Sequence, residues 1–193
     1  MASANVLVLG PQGSGKGTQA KRICAAHGIP HISTGDMFRA AIAEGTGLGR
    51  QVEPILASGE LVPDELTVAL IRDRLSRDDA SGGFVLDGFP RNLVQAEALD
   101  EMLAGIGRPL DAVLFFDLDD ETATTRALGR ASEEGRADDT PEVIVRRLTI
   151  YHEQTEPVVE RYRAAGTLHT LAADRAVDDV FAEIEDALRQ VGS

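Results

Sequence analysis

Apolar residues gather along this chain in two kinds of spacing. Short apolar runs occupy residues 6–9, 84–86, 113–116 and 167–171, with a weaker one at 31–33. Such runs are what strands buried on both faces show, whereas half-exposed strands alternate. Between them apolar positions recur every three or four residues, most clearly at Val177, Val180, Phe181, Ile184, Leu188 and Val191, which share one helical face. Strands alternating with helices predict an α/β fold, a parallel five-stranded sheet flanked by helices, with ligands at the carboxyl ends of the strands.

Two stretches break the rhythm. Residues 33–62 read as mostly helical, punctuated by Gly45, Gly47, Gly49 and Gly59 and without a strand pattern, so they are expected as an insert rising from the sheet's edge. Residues 131–137, ASEEGRA, are polar and aperiodic, which predicts a short exposed loop. The whole is read as one domain over 1–193, with a core of 1–32, 63–130 and 138–193.

Composition narrows the function. With 193 residues and 43% hydrophobic content the chain can bury about 70% of the surface its unfolded form exposes, without disulfide or metal staples. Its amino terminus lacks a signal-peptide pattern, and no apolar stretch approaches the roughly 18 residues of a membrane span, so a cytoplasmic location is expected. Cys24 is the only cysteine, and His27, His31, His152 and His169 show no ligand spacing. Zinc is therefore not expected, and the four histidines read as structural. A net charge of −13 disfavours nucleic acid and anionic membranes as partners, so any anionic ligand must be met by a local positive cluster.

One such cluster is written in a motif. Gly10 to Lys16, GPQGSGK, follows the first strand and opens a helix through Thr18, Ala20, Ile23 and Ala26. Glycines let successive N–H groups curl around phosphate, the helix terminus adds partial positive charge, and Lys16 reaches the outer phosphates of a nucleoside triphosphate. Gly17 stands where a magnesium-ligating Ser or Thr usually follows the lysine, and Thr18 comes one position late. Magnesium should then be held mainly by phosphates and water, with carboxylates acting through water. Asp87, ending a buried run and beginning DGFPR, lies where an acid would face that metal. Pro90 is expected in a cis bond, and Arg91 as a phosphate-binding fork.

GPQGSGKGTQ, HISTGDMFR, GELVPDE, DGFPRN and GRADD occur in this order, and over essentially its whole length the chain resembles adenylate kinases, in their short-lid form. The resemblance implies a P-loop core with two moving flaps, an acceptor-binding insert at about 33–62 and a lid at about 131–137. It implies ATP and AMP as substrates, ADP as product, Mg2+ as cofactor and a monomer. On the donor side it assigns Gly13, Ser14, Gly15, Lys16, Gly17, Thr18, Arg126 and Arg130, with Arg175 contributing only its carbonyl. The acceptor's phosphate falls between Arg39 and Arg91, and Thr34, the backbone of Leu61 and Val62, and Gln95 read its base, with Glu60 and Gly88 also on the acceptor side. Arg136 and Arg147 reach the transferred group, Asp138 and Asp139 orient the lid arginines, and Asp36 joins Asp87 around water-held magnesium, although Asp36 equally suits a helix cap. Lys16, Arg91, Arg130, Arg136 and Arg147 form the expected catalytic cage.

The residues alone reach part of this. Arg126 and Arg130 share a face if TTRALGR is helical, and phosphoryl transfer needs stabilisation of spreading negative charge rather than a side-chain nucleophile. Two other readings stay open. A pyrimidine (UMP or CMP) monophosphate kinase shares fold and motifs, though Thr34 with Gln95 suits adenine better. A regulatory module that binds nucleotide without transfer has no use for a second set of arginines.

Overall fold

The computed structural model describes residues 4–134 and 139–191. Strands β1 (Ala4–Leu9), β2 (His31–Ser33), β3 (Gly83–Asp87), β4 (Ala112–Asp117) and β5 (Leu168–Ala172) form one sheet in the order β2-β3-β1-β4-β5. Every pairing is parallel. All five runs seen in the sequence are strands, shifted by a residue or two at their ends. Alternation sorts them between two cores: Val6, Val8, Val85, Leu114 and Phe116 face one side, while Leu7, Leu9, Phe84, Leu86, Val113 and Phe115 face the other. Both faces are apolar because helices cover both.

The first face is covered by α1 (Lys16–His27), α6 (Asp120–Glu134), α7 (Pro141–Ile150) and α9 (Val177–Val191). The second lies under α4 (Asp64–Leu75), α5 (Leu93–Gly105) and α8 (Glu156–Ala164). Between α7 and α8 the chain widens into a π-helical turn, Tyr151–Thr155. Residues from 34 onward leave edge strand β2 directly as α2 (Thr34–Ala43) and α3 (Gly47–Ala57). These carry a small core of their own, Phe38 and Val52 with Val62, closed by Leu66 and Leu70 of α4. Among the described residues no helix is long and apolar enough to cross a membrane.

One expectation is overturned. Residues 131–134, expected to begin a loop, continue α6 as far as Glu134. Ala, Ser and Glu are compatible with helix, so a helix already running propagates through them although no apolar stripe marks it. The rest of the expected lid, including Arg136 and Asp138, lies outside the described residues.

Candidate active site

Where the strands end, a cleft of about 630 Å3 opens. Its floor is the turn between β1 and α1. Gly13 takes φ +79°, and a Cβ there would stand 2.3 Å from the Ala123 carbonyl, so only glycine lets the turn press against α6. Helix α1 starts after Gly15, in left-handed conformation, with no side-chain cap and no acidic residue in its first turn. The N–H groups of that turn are thus left to an anion. Gly13, Ser14, Gly15, Lys16, Gly17 and Thr18 all line the cleft.

Lys16 is the first residue of α1. Its Nζ donates to the Pro11 carbonyl at 2.7 Å. Burial pushes this ammonium down to about 8; Asp87 opposes the shift, and Arg91 and Arg130 add to it. Arg91 is lowered to about 10, first by burial, then by Arg147 and Arg39, against the pull of Asp87. Burial dominates both shifts, and the neighbouring guanidinium groups that add to them place several cations around one cleft.

Asp139 holds part of that cluster. Its carboxylate is fully buried and accepts from Arg130 Nη2 at 2.7 Å and Arg147 Nη1 at 2.5 Å, so one acid aims two guanidinium groups. Arg147 Nη2 also reaches the Leu56 carbonyl of α3 at 3.3 Å. Across the cleft Arg91 Nε donates to the Gly88 carbonyl at 2.9 Å, in a turn whose Phe89–Pro90 bond is cis, as expected. Arg39 pairs with Asp36 at 2.6 Å. The cap of α2 is Ser33, whose hydroxyl accepts from the Asp36 N–H. Asp36 is therefore not the cap, because its place in the first helical turn leaves its carboxylate for Arg39. On the other flank Arg126 Nη1 donates to the Ala173 carbonyl at 2.8 Å, and Arg175, which also borders the cleft, pairs its guanidinium with Glu183.

The family model described as adenylate kinase matches residues 8–167. The adenylate kinase of Parvibaculum lavamentivorans is 50% identical over 186 residues, 95% of this chain and 91% of that one. Those of Stenotrophomonas maltophilia (48%, 95% and 98% covered) and Thermobifida fusca (47%, 95% and 97% covered) are similar over as much of their length. The chain belongs to the adenylate kinase family. It is accordingly a phosphotransferase acting on nucleotides.

In this family member a narrower recess adjoins the main cleft, lined by Thr34, Val62 and Gln95 together with Phe38 and Thr67. Glu60, Leu61, Gly88 and Arg91 border both spaces. Thr34, 2% exposed, donates its hydroxyl to the Gly88 carbonyl at 2.8 Å. Gln95 accepts from the Arg91 N–H at 2.8 Å and donates to Asp64 at 2.7 Å. Neither Asp64, Phe38 nor Thr67 was singled out in the sequence, since each looks like an ordinary helix residue there.

His31, read as structural, borders the cleft, and its Nε2 lies 3.2 Å from Asp87 Oδ2. Parallel pairing sets Ser33 of β2 beside Asp87 of β3, which brings His31 within reach. Burial pushes Asp87 up, but the His31 hydrogen bond and the charges of Lys16, His31 and Arg91 outweigh it and hold the acid below its ordinary value. A hard, ionised oxygen donor results, suited to magnesium through water. A Cβ on Gly17 would stand 3.7 Å from Asp87 Oδ2, so the missing side chain leaves room beside that carboxylate, and the site fits the ion.

Proposed function

We propose that this family member transfers the terminal phosphoryl group of ATP to AMP, reversibly, giving two ADP. The observation that carries the reading is the convergence of Lys16, Arg91, Arg130 and Arg147 between the glycine-rich turn and an adjoining recess lined by Thr34, Val62 and Gln95. ATP would lie with its phosphates over residues 13–18 and its base between Arg126 and the strand that ends at Ala172. AMP would place its phosphate between Arg39 and Arg91 and its base against Thr34, Val62 and Gln95.

Transfer then needs no protein nucleophile. A phosphate oxygen of AMP attacks the terminal phosphorus of ATP, the bond to the bridging oxygen breaks, and the guanidinium cage stabilises charge spread over the equatorial oxygens. Asp139 holds Arg130 and Arg147 in place beforehand, so little reorganisation remains. Magnesium, held by phosphates and by Asp87 and Asp36 through water, would neutralise phosphate charge. Residues 33–62 serve as the acceptor flap and 131–137 as the lid, with Arg136 as a further guanidinium on the transferred group. Cytoplasmic location and a monomeric state complete the proposal.

Its test is a coupled assay with ATP against AMP, CMP, UMP and GMP in parallel. AMP is expected to exceed each other acceptor in kcat/KM by at least about a hundredfold, because a recess built to hydrogen-bond one base leaves polar groups unpaired around another. Preference for CMP or UMP would restore the pyrimidine reading.

A further inference from the structure

We propose that Gln19 is a positioning residue that sets the donor's base specificity, by fixing the segment after β5 at a set distance from the phosphate-binding turn. Gln19 lies on α1 one turn beyond Gly15, is 3% exposed, and has Ala20 and Ile23 as buried neighbours. Its Nε2 donates to the Val177 carbonyl at 2.8 Å, across 158 residues of sequence. Its Oε1 is buried without a hydrogen-bond partner. An apolar residue would fill this place without stranding an acceptor, so the glutamine is explained by what its other end does. That end ties the first residue of α9 to the helix whose N-terminus meets the phosphates. From the opposite side Arg126 Nη1 holds the Ala173 carbonyl at 2.8 Å and Nη2 reaches the Asp174 carbonyl at 3.4 Å. With Arg175 drawn aside to Glu183, residues 173–177 are clamped between α1 and α6, and Ala173, Arg175 and Val177 of this segment border the cleft. Adenine and guanine differ in offering an amine or a carbonyl at one ring position, and a clamped backbone distinguishes them where a loose one adapts.

The inference rests on the donor-side reading above, and the experiment separates the two. Gln19→Met keeps length and burial while removing the donor; Gln19→Ala removes it with less bulk. Steady-state kinetics with ATP and with GTP as donors, at varied AMP, are measured beside melting temperature. For each variant KM for ATP is expected to rise about tenfold with KM for AMP and kcat nearly unchanged, and the ATP-to-GTP ratio of kcat/KM to shrink at least about threefold. A purely structural role would lower melting temperature and leave that ratio at the wild-type value, which overturns the proposal. Equal rises in KM for ATP and AMP overturn it too. Failure of the donor-side reading itself would appear in the wild-type protein, as indifference between ATP and GTP.

Discussion

At Lys16 binding and folding make opposite demands. Its ammonium is proposed to meet phosphates, yet burial, with Arg91 and Arg130 nearby, drops its proton affinity from 10.5 to about 8. The unfolded chain therefore holds this proton more tightly than the native one. Between about pH 8 and 10.5 the unfolded state binds more protons, so the contribution to stability rises with pH across that window, and below it the penalty is present in full. Lys16→Met is expected to melt higher than wild type at pH 7, by on the order of 1–3 kcal/mol after allowance for partial exposure. The gain should vanish toward pH 10.5. The same variant should lose well over tenfold in kcat/KM, more than about 1.4 kcal/mol of transition-state stabilisation. Melting curves at pH 7 and 10 beside initial rates check both halves, and a variant that melts lower at pH 7 would contradict the burial account.

Among elements, the π-helical turn between α7 and α8 links the cage to the rest of the fold. Thr155 Oγ1 donates to the Arg91 carbonyl at 2.8 Å, so the wide turn braces the segment that presents Arg91. His152, in the same turn, places Nε2 2.9 Å from Asp120 at the start of α6 and Nδ1 3.1 Å from Glu156 at the start of α8. Both ring nitrogens can donate only when the imidazole is protonated. Burial alone would lower its proton affinity, but the two carboxylates prevail and raise it above 6.5. The resulting stabilisation is complete below pH 6.5 and disappears as pH rises through the raised native value. His152→Gln should therefore melt further below wild type at pH 6 than at pH 9, a comparison that differential scanning calorimetry settles; a gap that is equal at both values would remove the ion pairs from the account.

For the whole molecule the balance is between a net charge of −13 and a cleft crowded with cations. The acidic remainder discourages long polyanions, while the cleft gathers Lys16, Arg91, Arg130 and Arg147 into a local positive cluster. Among the described residues no group of three or more His, Cys, Asp or Glu side chains could hold a metal ion, so a cation would enter with the phosphates. EDTA in excess over magnesium is expected to abolish transfer while leaving the melting temperature of the nucleotide-free protein unchanged, and added Mg2+ to restore activity. A large fall in melting temperature on chelation would reveal a structural metal.

How much of this was legible beforehand depended on sequence distance. The turn from Gly10 to Lys16, the strand runs, the DGFPR segment and the helical insert were readable because each is written in consecutive residues. Backbone conformation and burial period are set by near neighbours. The order β2-β3-β1-β4-β5 and everything that hangs on it were decided only by the tertiary structure. His31 reaches Asp87 across 56 residues because β2 pairs with β3, and Gln19 reaches Val177 because α1 and α9 pack on the same face. Gln12, inside the most legible motif, still donates to the Ile144 carbonyl of α7 across 132 residues. Residues 131–134 look like loop by composition and are helix, since a helix already nucleated extends through residues that would not start one. The sequence by itself thus determined where the glycine-rich motif, the strand runs and the helical insert lie; which buried partners hold their side chains in place was decided by the packing of distant segments, which no local spacing records.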